Sequence, residues 1–137
     1  MQRLRKGPLV DAAGTAELWL DGGHNPAAGA ALAETLASLP DRPTYLICGM
    51  LSTKDVAGYL APLAEHAKAL YAVGIPGEAA TLSPSDTAAA AEKVGLAACV
   101  SASVDAALAA VLAKEPHARV LICGSLYLAG AILRENA

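Results

Sequence analysis

The chain has 137 residues, of which 55 % are hydrophobic and 17 % charged, with 10 Lys and Arg against 13 Asp and Glu for a formal net charge of -3. That is the length of one domain with ample apolar surface to bury, which excludes a disordered chain. No basic run extends beyond Arg3, Arg5 and Lys6, so a nucleic-acid-binding surface is excluded as well.

Alanine supplies 33 residues, Phe none, and aromatics only 4 %, too little β-branched and aromatic side chain for an all-β sandwich. Gly and Pro interrupt every apolar stretch before it reaches the roughly 20 residues that a bilayer-spanning helix needs. Cys48, Cys99 and Cys123 form no CxxC pair, and the three histidines are scattered, so neither a zinc site nor a disulfide framework is expected. All three cysteines lie among apolar neighbours and read as buried free thiols of a cytoplasmic protein. No secretory signal pattern opens the chain.

In chain order, apolar strand-like runs alternate with helical patterns. Leu4 to Val10 is expected to pair antiparallel with residues 17–20 as a hairpin. Leu18-Trp19-Leu20 ends at Asp21-Gly22-Gly23, and Asn25-Pro26 reads as an N-cap followed by proline at the first helical position. Ala28, Ala31, Leu32, Leu36 and Leu39 keep a helical period until Pro40. Thr44 to Cys48 is a buried strand closed by Gly49. Ser52 with Asp55 resembles a capping box, and Pro62 should break the helix that follows.

Leu70 to Val73 is a third strand. Ser83 opens an Ala-rich helix that Gly95 ends, Ala97 to Val100 is a short strand, and Ser103 caps the next helix. Arg119 to Cys123 is the last strand, followed by Gly124-Ser125 and a helix through Leu133. Strict alternation of this kind predicts a Rossmann-like three-layer α/β domain. It has a mostly parallel sheet of about six strands, an antiparallel N-terminal hairpin strand, and helices on both faces. Residues 1–137 read as a single domain cut from a longer protein.

Polar residues gather at three strand-to-helix turns, which the right-handed crossover places on one edge of the sheet: Asp21 to Pro26, Gly49 to Asp55, and Gly124-Ser125. Ligands of open α/β sheets bind at that edge, and helix starts there favour anions. Asp21 could accept ribose hydroxyls or help hold a cation, or simply form the turn. His24 could donate to a phosphate or carboxylate, or bond the backbone. Asn25 is a nucleotide-contact candidate but also the natural N-cap. Lys54 and Asp55 could meet a nucleotide or a neighbouring domain, and Ser125 an anionic substrate or its own helix. Cys48 and Cys123 read as core thiols, Trp19 and Tyr127 as packing residues. No GxxxxGK[ST], GxGxxG or GxSxG occurs, so the chain lacks the loop that grips a triphosphate, the dinucleotide fingerprint and the nucleophile elbow.

Leu18 to Pro26 resembles the LDGAHNP signature of folylpolyglutamate synthase/dihydrofolate synthase, Gly49 to Asp55 its GML.DKD turn, and Cys123 to Leu128 its CGSLYL segment. The three motifs stand in the family's order and span the chain, and DxxHNP recurs through the wider Mur ligase superfamily. The resemblance implies the C-terminal domain of an ATP-dependent amide ligase. In such enzymes a larger N-terminal ATPase domain carries the P-loop, the Mg²⁺ ligands and most of the pterin site. The carboxylate of dihydropteroate or folate becomes an acyl phosphate, and the amine of glutamate displaces phosphate. Carried over by position, Asp21, Asn25 and Lys54 would face the nucleotide, His24 the reacting phosphates or incoming amino acid, and Ser125 the glutamate. The family's Gly-Arg ahead of the first strand has no counterpart here, and Ser52-Thr53 stands where an acidic residue is common. The implied fragment is inactive alone. Alternatives are the corresponding domain of a cell-wall precursor ligase, a freestanding non-catalytic module that binds anions, and a small oxidoreductase domain, against which the absent glycine fingerprint counts.

Overall fold

The computed structural model describes residues 1–52, 54–79 and 81–137. Those residues form a six-stranded sheet in the order β1-β2-β6-β3-β4-β5. The strands are β1 (Gln2–Leu4), β2 (Glu17–Leu20), β3 (Thr44–Cys48), β4 (Ala69–Ala72), β5 (Ala98–Val100) and β6 (Arg119–Cys123). Only β1 runs antiparallel, paired with β2. The helices are α1 (Pro8–Ala13), α2 (Pro26–Ser38), α3 (Val56–Leu60), α4 (Pro84–Lys93), α5 (Val104–Lys114) and α6 (Leu126–Glu135). None of them is long and apolar enough to cross a membrane.

Two apolar layers sandwich the sheet. On one face α1, α5 and α6 cover Leu18, Tyr45, Ile47, Val120 and Ile122. On the other, α2, α3 and α4 cover Leu46, Cys48, Leu70, Leu121 and Cys123. Every residue of β3 and β6 is buried, which is why these strands read as unbroken apolar runs without polar alternation. Pro62 ends α3 after five residues and the chain continues as a 3-10 helix over Ala61–His66, because proline removes the N–H that the α-helical ladder needs.

Three local expectations are corrected. The N-terminal hairpin is confined to Gln2–Leu4, and Pro8–Ala13 is helical. Pro8 suits a helix start, and the carboxamide of Asn136 ties the helix down across the whole chain: its Oδ1 accepts from Leu9 N–H and its Nδ2 donates to Lys6 O, both at 2.8 Å. The N-cap of α3 is Asp55, whose carboxylate accepts from Gly58 N–H at 2.9 Å, while Ser52 makes no cap; Thr53 lies outside the described residues. Cys99 is exposed because β5 is the edge of the sheet.

At the amino edge of the parallel strands, Glu17 accepts from the indole of Trp19 and from the guanidiniums of Arg42 and Arg119. Arg42 also donates to the carbonyls of Thr15 and His117, and Arg119 to that of Pro40. Burial pushes the Glu17 carboxyl up, but the hydrogen bonds from Trp19, Arg42 and Arg119 outweigh it and hold its pKa at about 2. At the opposite edge β3 and β6 end in register at Cys48 and Cys123, and each continues into glycine. Gly124 has φ +110°, and a Cβ on it would lie 2.7 Å from Gly49 O and 2.9 Å from Cys48 Sγ, so no side chain fits where the two turns meet.

A carboxyl with a depressed folded pKa stabilises above its unfolded value and loses that contribution as pH falls. Glu17 should therefore contribute stability, at most about 3 kcal/mol and less after solvent screening, that is lost as pH falls from its ordinary pKa through about 2. Urea denaturation across that window should show the loss in the parent chain and a flatter profile in Glu17→Gln. Gly124→Ala should cost about 1–3 kcal/mol in backbone strain alone, seen as a melting temperature several degrees lower. Gly74→Ala, at a position with open space around it, should leave the melting temperature close to that of the parent.

Candidate functional site

The connections of the sheet decide where a ligand can enter. The chain leaves β2 and β3 toward the face covered by α2 and α3, and leaves β6, which lies between them, toward the face covered by α6. Neighbouring turns that depart in opposite directions open a crevice at the carboxyl ends of their strands. A pocket of about 170 Å³ lies there, lined by His24 from the first turn, Leu51 and Lys54 from the second, and Gly124, Ser125, Leu126 and Tyr127 from the third. Three residues singled out in the sequence, His24, Lys54 and Ser125, thus share one cavity, while Asp21 and Asn25 flank it.

Each polar group is held by its turn. Asp21 Oδ2 accepts from Gly23 N–H at 2.8 Å, which shapes the β2–α2 turn, and Oδ1 lies 2.9 Å from the α-amino group of Met1. Both carboxylate oxygens are therefore occupied. Asn25 is exposed and caps α2, its Oδ1 accepting from Ala28 N–H at 2.8 Å. Ser125 is buried and caps α6, its Oγ accepting from Tyr127 N–H at 3.0 Å and Leu128 N–H at 3.4 Å. Its hydroxyl hydrogen remains free to serve as a donor. His24 Nδ1 is shielded from solvent and, among the described residues, has no hydrogen-bond partner. Lys54 is half-buried, and no carboxylate among the described residues forms an ion pair with it.

Beneath the pocket lie two thiols and a phenol. A hydrogen bond with Cys123 and complete burial push the Cys48 thiol up. Burial, then the Cys123 and Cys48 thiols, push the phenol of Tyr59 up. Cys48 and Tyr59 therefore stay protonated and supply no nucleophile. A cationic side chain, a ring nitrogen, a hydroxyl and the start of a ten-residue helix are suited instead to holding an anion and stabilising charge upon it. Among the described residues, no three His, Cys, Asp or Glu side chains gather as a metal site would require.

Two other cavities are lined differently. One of about 690 Å³ at the amino edge includes Arg42, His66, Lys68 and Arg119 in its lining, but Asp41 and Glu65 line it too, and Glu17 and backbone carbonyls already engage both guanidiniums. The other, about 410 Å³ between the turns after β4 and β5, has Asp105 and Glu135 as its charged lining. Sequence reasoning missed the apolar part of the site. Tyr127, expected to pack, is 57 % exposed, and the neighbouring Leu126 is 66 % exposed. The available signal was their position directly after Ser125, on the turn of α6 that faces the crevice.

The model of the family described as Mur ligase, glutamate ligase domain, matches residues 5–126. Folylpolyglutamate synthase of Lacticaseibacillus casei is 34 % identical over 113 residues, covering 82 % of this chain and 25 % of that protein. The crystal structure of Mycobacterium tuberculosis folylpolyglutamate synthase complexed with ADP and AMPPCP superposes with a TM-score of 0.76 at 27 % identity, covering 99 % of this chain and 31 % of the other. The bifunctional folylpolyglutamate synthase/dihydrofolate synthase of Yersinia pestis, complexed with AMPPNP and Mn, gives a TM-score of 0.71 at 26 % identity, with 97 % and 30 % covered. This chain spans a quarter to a third of the length of these relatives. The match of family model, fold and turn motifs along the chain makes it a member of the Mur ligase glutamate ligase domain family.

Proposed function

We propose that this chain is the glutamate-side domain of an ATP-dependent amide ligase of the folylpolyglutamate synthase/dihydrofolate synthase type, acting in the cytoplasm with a larger N-terminal ATPase domain. The observation that carries this reading is the convergence of His24, Lys54 and Ser125 in one small pocket. A volume of about 170 Å³ suits a single amino acid or the phosphate end of a nucleotide. Most of the ATP site, and the Mg²⁺ ligands, then belong to the larger domain.

The reaction joins the carboxyl group of dihydropteroate or a folate to glutamate. The carboxylate is activated as an acyl phosphate, the glutamate amine attacks the acyl carbon, and phosphate departs. Lys54 and the donor of the His24 ring draw the anionic groups in and offset their charge. The Ser125 hydroxyl fixes one carboxylate oxygen. Asn25 and Ser125 keep their helix starts, and so their dipoles, aimed at the pocket. Asp21 holds the first turn through Oδ2 and offers Oδ1 to nucleotide hydroxyls. These groups position reactants and stabilise charge, and none forms a bond to the substrate.

A cell-wall precursor ligase would share the Asp21-to-Pro26 turn. The Cys123-to-Leu128 segment and the L. casei relative favour the folate branch. With dihydropteroate, glutamate and Mg²⁺-ATP, the intact enzyme that carries this domain should form ADP, the 137-residue chain alone should not, and a UDP-sugar peptide should not replace the pteroate. Lys54→Ala and His24→Ala in the intact enzyme should each raise the KM for glutamate at least about tenfold, because each removes a charged or charge-assisted contact. An unchanged glutamate KM in both variants would remove the pocket from the reaction.

A further inference from the structure

The cationic end of the pocket faces an apolar wall that the roles above leave unused. Leu126 and Tyr127 are both more than half exposed, although Leu128 and Ala129, the next two residues of α6, are buried. Adjacent large apolar side chains open to water are uncommon unless something covers them. These two line the same cavity as His24 and Lys54. The position of Leu126 is built in, because a Cβ on Gly22 would lie 2.6 Å from its Cδ2. The bare backbone of the β2–α2 turn is what lets the leucine lie across that side of the pocket.

A cavity with anion-binding groups at one end and a leucine and a tyrosine beside them is complementary to an anionic group borne on a short alkyl chain. From this we infer that Leu126 and Tyr127 select the length of the incoming amino acid by covering its methylene groups. The inference rests on the ligase reading and deepens it. With the carboxylate anchored at Lys54, His24 and Ser125, the wall meets the carbons between the carboxylate and the attacking amine. A shorter acid leaves part of the wall in water, and a longer one must displace Leu126 from its place against the β2–α2 turn. Burial of one methylene changes affinity about fourfold, and a fitted pocket discriminates by one methylene about tenfold or more.

The test uses the intact ligase with aspartate, glutamate and 2-aminoadipate as competing amino acids. Leu126→Ala should raise the KM for glutamate about tenfold and shift the ratio of kcat/KM toward 2-aminoadipate, leaving the KM for ATP and for the pteroate unchanged. Tyr127→Ala should act in the same direction. Gly22→Ala, whose Cβ would displace the Leu126 side chain, should change the same ratio. Because Leu126 and Tyr127 are exposed, their variants should melt within a few degrees of the parent, so that a kinetic change reports the pocket and not unfolding. Unchanged length preference in all three variants, with glutamate ligation intact, would overturn the inference and leave the ligase reading standing. So would changes confined to the KM for ATP or for the pteroate, which would assign the two side chains to another surface. An intact enzyme that ligates no amino acid to a pteroate would overturn both.

Discussion

The in-register parallel pairing of β3 with β6 is the constraint from which the site follows. From Thr44–Arg119 to Cys48–Cys123 the two strands advance together, so their turns begin at the same height and meet glycine to glycine. A Cβ at Gly124 would collide with the backbone of Gly49, so the two turns lie as near as backbone allows. A shift of one residue would turn every side chain of β6 to the opposite face and carry Ser125 away from Lys54. Both faces are apolar, so polarity alone would not resist such a shift; the register is held at its amino end by buried Arg119, which bonds Glu17 and Pro40, and at its carboxyl end by the close meeting of the two glycines.

The two edges of the sheet treat charge in opposite ways. At the amino edge the carboxylate of Glu17 is shared by Arg42 and Arg119, and the remaining guanidinium donors reach backbone carbonyls. That charge is consumed in tying β2, β6 and the segment before β3 together. At the carboxyl edge the caps satisfy helix starts, but among the described residues no carboxylate pairs with Lys54 and nothing bonds His24 Nδ1. Buried polar groups in a folded domain normally find partners, and here the unpaired ring nitrogen and Lys54 line one pocket, as the proposed anion site requires. The larger cavity at the amino edge sets Lys68 and His66 beside Asp41 and Glu65, so positive and negative groups offset one another there.

The chemistry legible in the site is that of a positioning surface. Cys48 and Tyr59 beneath it are held protonated by burial and by the Cys123 thiol. Asp21 spends one oxygen on its own turn. In the ligase proposed above, such a surface would act by holding two reactants together and offsetting charge as it moves, and both effects need the opposing wall of a cleft. A domain covering a quarter to a third of its relatives' length fits that division of labour.

Sequence alone determined the layer order, because apolar runs of four or five residues alternating with helical periods admit few arrangements other than a covered parallel sheet. It also determined three of the caps, at Asn25, Ser83 and Ser103, because a side-chain oxygen beside a helix start acts locally. It placed His24, Lys54 and Ser125 on one edge, since the handedness of crossovers does so for any such chain. Tertiary structure decided what depends on distant partners. Asn136 turned the residues after Leu4 into a helix by bonding both Lys6 and Leu9. The edge position of β5 exposed Cys99, and the placement of α6 left Leu126 and Tyr127 open beside the pocket. The difference is one of range: periodicity, capping and crossover hand act over a few residues or follow from chirality, whereas burial and pairing across more than a hundred residues exist only once the chain has closed on itself.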